Sequence, residues 1–294
     1  MKLLHYPVMN KEVLDVLGDP GESYFVDCTL GMGGHSYFAL KQFHRSRVIG
    51  MDVDDESLAK AKENLAPFGE RVNILRCNYI DLFEEIEIGD YHVAGMLIDP
   101  GISMVQLKDP ERGFSHNIDS PLDMRKDRSA GMSAADVVNT MSEKELTGIF
   151  RDYGEVKQAD RLAKSIIEKR LFETIDSTLK LKEVVEKVFG KHVPKGKVHP
   201  AALVFQALRI YVNHELSGVD EFLKKAASKL NSEAKLIFIS YHSVEDRMVK
   251  RTFKELAKDG TVKIVKPFPM VPSEEEVRDN PPSRSAKLRA VTIQ

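Results

Sequence analysis

The sequence predicts an α/β fold: a doubly wound, mostly parallel sheet interrupted by an inserted helical domain. Four short apolar runs, "YFVDCTL", "RVIGMDV", "VNILRC" and "VAGMLID", fill the first part of the chain. They lack clean polar alternation, as strands buried on both faces of a parallel sheet do. From Asp99 to Leu216 the chain is first turn-rich and then helically periodic, with no strand candidate. Strand-like runs return only at "KLIFISY", "VKIVKPF" and "KLRAVTI". The expected boundaries are residues 1–108 for the first part of the sheet domain, 109–216 for the insertion and 217–294 for the second part.

Each element has a local reason. Between the second and third runs, "DDESLAKAKENLAPFG" sets Leu58, Ala61 and Leu65 at helical spacing before the stop signals Pro67 and Gly69. Strand, helix, strand in that rhythm builds an open sheet. Inside the insertion, "SEKELTGIFRDYG" opens on the capping-box pair Ser142 and Glu145. It places Leu146, Ile149, Phe150 and Tyr153 on one stripe. "STLKLKEVVEKVFG" repeats the device with Leu181, Val184, Val185, Val188 and Phe189. Pro200 then opens a helix carrying Val204, Phe205, Leu208 and Val212 on its buried face. These stripes are expected to be core.

Composition narrows the class. A chain of 294 residues with 42% hydrophobic and 30% charged content describes a globular protein with a real core. No apolar run reaches the roughly 18 residues a bilayer span needs, and the start turns polar too soon for a secretory signal. Cys28 and Cys77 lack zinc or redox spacing, and the expected compartment is the cytoplasm. No metal site is indicated. A net charge of −2 does not announce a nucleic-acid partner, so any phosphate-binding face must be local. Two stretches qualify: "KHVPKGKVHP", and the tail with Arg278, Arg284, Lys287 and Arg289. Both also read as solvated basic loops.

The stretch "FVDCTLGMGGHS" ends a strand on Asp27 and then strips side chains at Gly31, Gly33 and Gly34. Gly31-x-Gly33-x-x-Ser36 is a partial dinucleotide fingerprint, and ligands of open α/β sheets bind at this first glycine-rich turn. Asp27 would face such a ligand. Asp52, 21 residues after Gly31, is placed to accept hydrogen bonds from ribose hydroxyls. Two carboxylates repel a pyrophosphate but suit the ammonium, sulfonium and ribose of S-adenosylmethionine, which disfavours an NAD-dependent oxidoreductase. The fourth run ends at Asp99-Pro100, the first half of the Asp-Pro-Pro-Tyr motif of amino-methyltransferases. Gly101 and Ile102 stand where that motif has its second proline and stacking aromatic. An acceptor at an exocyclic amine aims the nitrogen lone pair at a methyl group.

Several stretches together resemble the RsmH (MraW) family of 16S ribosomal RNA cytosine-N4 methyltransferases. They are "HYPVMNKEV", "DCTLGMGGHS", "LIDPGIS" with "QLKD", "RGFS" with "SPLDMRKD", "SAADVVN", "YGE", "HPA" with "FQALRIYVN", "ISYHSVEDRMVK" and "NPPSRSAKLRA". They run through essentially the whole chain. The resemblance implies a Rossmann-like methyltransferase sheet whose insertion recognises substrate. It also implies S-adenosylmethionine as cofactor and 16S rRNA as partner, within the small ribosomal subunit or its precursor. Its cofactor contacts fall on Gly33, Gly34, His35, Asp52, Tyr79, Asp99 and Gln106, with Tyr79 packing an adenine ring. Asp99 is the expected catalytic residue, and His242 the second candidate, lining the acceptor pocket. "SYHSVEDR" holds Ser240, His242, Ser243, Glu245 and Asp246, but no Gly-x-Ser-x-Gly elbow accompanies it, which argues against a hydrolase. The competing expectation is an rRNA-binding assembly factor with a vestigial cofactor site. The chain departs from the family pattern at Met104, Val105, Ala202, Leu203 and Pro282.

Overall fold

The computed structural model describes residues 6–102, 106–107, 109–129, 131–192 and 198–294. Met104, Val105 and the middle of the basic stretch "KHVPKGKVHP" lie outside the described residues. The chain divides into two compact units: one holds the chain up to Gly101 and from Gly218 to Gln294, the other Ile102–Ser217. The insertion thus begins before residue 109, because Ile102 and Leu107 pack into the helical core. Among the described residues no helix is long and apolar enough to cross a membrane.

The chain opens with α1 (Asn10–Leu17), a helix that sequence periodicity did not single out; it buries Val13, Leu14 and Leu17 and stops at Gly18. Then β1 (Tyr24–Asp27), α2 (Gly34–Gln42), β2 (Arg47–Asp52) and α3 (Asp55–Leu65) alternate. Asp54 caps α3, its carboxylate accepting the Ser57 N–H. β3 (Val72–Arg76), the single-turn α4 (Leu82–Glu85) and β4 (Val93–Ile98) complete the first half.

The second unit is helical: α5 (Ala134–Thr140), α6 (Glu143–Asp152), α7 (Ala159–Arg170), α8 (Thr178–Phe189) and α9 (Pro200–Val212). Capping boxes start α5 at Ser133/Asp136 and α6 at Ser142/Glu145. The stripes Leu146–Ile149–Phe150, Leu181–Val184–Val185–Val188 and Val204–Phe205–Leu208 meet in one core. Helix α7 contributes Leu162, Ala163 and Ile166 to it.

The chain returns through α10 (Val219–Lys229), β5 (Lys235–Ser240), α11 (Ser243–Lys258), β6 (Val262–Ile264), the short α12 (Glu274–Asp279) and β7 (Lys287–Ile293). All seven expected strand runs therefore form strands. The sheet order is β3-β2-β1-β4-β5-β7-β6, parallel except that β7 runs antiparallel to both neighbours. Successive side chains point to opposite faces. Phe25, Val48, Leu97 and Ile237 therefore pack with α1, α2 and α3, while Val26, Ile49, Met96 and Leu236 pack with α10 and α11. A sheet covered on both sides exposes only strand ends. Its carboxyl-terminal edge, where β1, β2, β4 and β5 release Asp27, Asp52, Asp99 and Tyr241, is the place left for chemistry.

Candidate active site

β1 runs into the glycine loop, which folds back through two hydrogen bonds: Leu30 N–H to Met51 O at 2.8 Å and Gly33 N–H to Leu30 O at 2.7 Å. Gly31 (φ +50°) and Gly33 (φ +82°) take left-handed backbone that a side chain would strain. A Cβ added at Gly31 would meet nothing within 4 Å, so the loop's backbone borders open space there. At Gly33 it would stand 3.0 Å from the Leu65 side chain, and at Gly34 3.3 Å from Pro7. Pro7 thus braces the loop from behind, at the head of the described part of the N-terminal stretch. That stretch is itself held by α12 and the residue after it: Glu276 accepts the Met9 N–H at 2.6 Å, and Asn280 donates to the Tyr6 carbonyl at 3.2 Å. We expect Gly33→Ala to cost about 1–2 kcal/mol of stability from the left-handed strain alone. Denaturant unfolding checks this.

Asp52 closes the loop from the β2 side. One carboxylate oxygen accepts the Gly31 N–H at 2.8 Å; the other accepts Val53 and Asp54 N–H at 2.8 and 3.0 Å. The residue remains partly exposed. Three backbone donors hold the carboxylate at one orientation beside the open backbone.

Asp27 corrects an expectation. Its side chain is turned inward and not toward open space: the residue is 1% exposed, and its oxygens accept the Ser36 hydroxyl at 2.7 Å and the Thr29 N–H at 3.4 Å. Burial pushes its carboxyl above the ordinary carboxylate range, with His35 and the Ser36 hydroxyl opposing the shift. Ser36, the small residue of the glycine fingerprint, therefore serves as a buried donor. Asp27 anchors the first turn of α2 to the end of β1.

Asp99, the residue after β4, is gripped from three sides. Its N–H donates to Thr29 Oγ1 at 2.7 Å, which ties it to the loop after β1. The Tyr241 hydroxyl donates to Oδ1 at 2.8 Å, and His35 Nε2 lies 3.4 Å from Oδ2. The Asp99 side chain is 18% exposed and that of His35 7%. Neither His35 ring nitrogen makes a hydrogen bond, although both are buried. A buried polar ring without a hydrogen-bond partner beside a carboxylate is costly in a finished core and ordinary beside a ligand pocket.

The other predicted residues sort differently. His242 caps α11, its Nδ1 accepting the Glu245 N–H at 3.3 Å, while Glu245 accepts the Tyr241 N–H at 2.9 Å. His242 and Glu245 thus form a capping pair, and Asp246 binds Arg289 and Lys287 of β7. The hydrolase-like constellation is a helix start and an ion pair. Tyr79 opens a 3-10 turn, its ring edge-on to Phe222 with centroids 5.1 Å apart. Gln106 is buried in the second unit. In the basic tail, Arg289 is 3% exposed and committed to Asp246, which takes it out of solvent, whereas Lys287 pairs with the same carboxylate from a partly exposed position.

Sequence reasoning missed Thr29 and Tyr241. Tyr241 had one available signal: it is the first residue past β5, the strand beside β4, so it emerges next to Asp99.

The glycine loop after β1, acids at the ends of β2 and β4, and a reversed β7 set between β5 and β6 define an S-adenosylmethionine-dependent methyltransferase. The donor fits these residues: open backbone at Gly31, a fixed acid at Asp52 and a second acid at Asp99 suit a cationic, ribose-bearing ligand. The match to the family described as the MraW methylase family covers residues 2–294, and the chain belongs to that family. It is 42% identical over 286 residues to the ribosomal RNA small subunit methyltransferase H of Persephonella marina, covering 97% of each chain. It is 43% identical over 286 residues to the protein of the same name from Sulfurihydrogenibium azorense, again covering 97% of each. A crystal structure of an rRNA methylase from Streptococcus thermophilus aligns at a TM-score of 0.42 and 11% identity, covering 97% of this chain and 93% of that one.

Proposed function

We propose that this chain transfers a methyl group from S-adenosylmethionine to the exocyclic N4 amine of one cytosine in the decoding region of small-subunit rRNA. It does so in the cytoplasm, on rRNA within the small ribosomal subunit or its precursor. The observation that carries the reading is the Asp99 carboxylate, held at the end of β4 by Thr29 and Tyr241 beside the glycine loop. Family membership supports the reaction type, and the relatives' names support rRNA as the substrate.

When bound, S-adenosylmethionine supplies an electrophilic methyl group on a sulfonium. The chain supplies placement. Gly31, Gly33, Gly34 and His35 would form the bed of the donor, Asp52 would accept from its ribose hydroxyls, and Tyr79 would flank its adenine. A cytosine amine is a weak nucleophile because its lone pair is delocalised into the ring. Asp99 accepts an N4–H hydrogen bond, which pyramidalises the nitrogen and directs that pair outward. The amine need lose its proton only after attack, so no strong base is required. The target base must leave its stack to reach a carboxylate this recessed. Arg289 stays buried with Asp246 and does not grip RNA, whereas Arg284 is an exposed basic residue of the tail with no ion pair among the described residues.

The decisive measurement is nucleoside mass spectrometry of small-subunit rRNA incubated with the protein and isotope-labelled donor. N4-methylcytidine at one position is expected. Donor binding with no label transferred would instead identify an assembly factor with a vestigial site.

A further inference from the structure

The turn "SYHSVED" does not take part as a hydrolase, yet it ends next to the reactive edge, and its parts interlock. His242 caps α11 through the Glu245 N–H, and Glu245 returns a hydrogen bond to the Tyr241 N–H. Asp246, one residue on, binds Arg289 on β7 at 2.8 Å, pinning the same turn of α11 to the sheet. Tyr241 therefore leaves β5 from a backbone fixed on both sides. Its hydroxyl meets Asp99 Oδ1 at 2.8 Å. Its ring edge lies over Gly101, where an added Cβ would stand 3.9 Å from Cε2. The Asp99-Pro100-Gly101 turn lacks an aromatic of its own, and the neighbouring strand supplies one.

We propose that Tyr241 is the positioning residue for Asp99: its hydroxyl holds Oδ1, leaving Oδ2, on the His35 side, as the oxygen that receives the acceptor amine. This rests on the methyl-transfer reading above. A carboxylate on an sp³ carbon rotates about its terminal torsion in a broad, shallow well. Thr29 fixes only the Asp99 backbone. His35 Nε2, at 3.4 Å from Oδ2, makes no hydrogen bond. The Tyr241 hydroxyl is thus the one short side-chain contact that sets the angle of the carboxylate among the described residues. Burial and the adjacent Asp99 carboxylate push the Tyr241 phenol well above the ordinary tyrosine value. It stays protonated and acts as a donor, never as the base.

The test is Tyr241→Phe, which deletes the hydroxyl and keeps the ring. Protein labelled with carboxyl-carbon-13 aspartate reports on Asp99 directly, its signal assigned by its loss in Asp99→Asn. The Asp99 signal is expected to move in Tyr241→Phe. In rRNA methylation, kcat should fall about tenfold to a hundredfold, as for loss of a hydrogen bond to a charged group. Calorimetric affinity for S-adenosylhomocysteine should stay within about twofold, a split that separates positioning from binding. In the Asp99→Asn background the same substitution should add no further loss of rate. An unmoved carbon signal, an unchanged kcat, or losses that simply multiply in the double variant would each overturn the proposal. A wild-type protein that transfers no methyl group would sink the proposed function instead, while the carbon signal still reports whether the clamp exists.

Discussion

Asp99→Ala is expected to lower methyl transfer to rRNA by about a hundredfold to a thousandfold, the range seen when one preorganised electrostatic contact to a reacting group is removed. Alanine cannot accept from the amine, so its lone pair stays in the ring and the attack geometry is sampled rather than held. The variant also strands the Tyr241 hydroxyl, which donates to Asp99 Oδ1. Losing that partner costs about 1–3 kcal/mol of stability. Asp99→Asn separates the two effects, since its amide keeps the shape and one acceptor oxygen. Transfer from labelled donor gives the rate, and circular dichroism shows whether the fold persists. Wild-type turnover in a folded Asp99→Ala protein would remove Asp99 from the mechanism.

Asp246→Ala should be strongly destabilising, costing about 3–5 kcal/mol because it leaves a buried charge unpaired. Arg289 is 3% exposed and grips Asp246 with Nε at 2.8 Å and Nη2 at 3.2 Å. Its guanidinium carbon sits 4.4 Å from the centre of the Phe268 ring, and Nη1 is buried without a hydrogen-bond partner. No other carboxylate is paired with this cation among the described residues. Replacing both partners with apolar residues of matching volume should restore most of the loss, since a buried pair contributes little beyond its own desolvation. Burial by itself would raise the Asp246 carboxyl, but the hydrogen bond and charge of Arg289, with help from Lys287, outweigh it and hold the group below the ordinary range. A depressed carboxyl contributes its stability in full above the unfolded value of 3.8 and loses it as pH falls through the folded value. Melts between pH 3 and 7 should therefore slope less steeply in Asp246→Ala than in the wild type. Parallel slopes would mean that the pair does not titrate with folding.

Much of the site was legible because its signals are local. A glycine that must turn left-handed, as at Gly31 and Gly33, and an acid at the end of an apolar run, as at Asp52 and Asp99, announce themselves within a few residues. Asp27 shows the limit of that logic. Its place at a strand end was correct, but the direction of its carboxylate depended on Ser36, nine residues on in the first turn of the next helix. The basic tail shows the same limit: of its four positive residues, Arg289 is taken out of solvent by Asp246, 43 positions before it.

By itself the sequence determined the strands, the helical insertion and the glycine loop, because apolar period, capping residues and backbone permissiveness act between near neighbours. Only the tertiary structure decided which groups face each other at the sheet's carboxyl edge. Tyr241 meets Asp99 across 142 positions of chain because β5 lies beside β4. Strand adjacency is set by how both faces of the sheet bury their side chains together, and no local window of sequence contains that information.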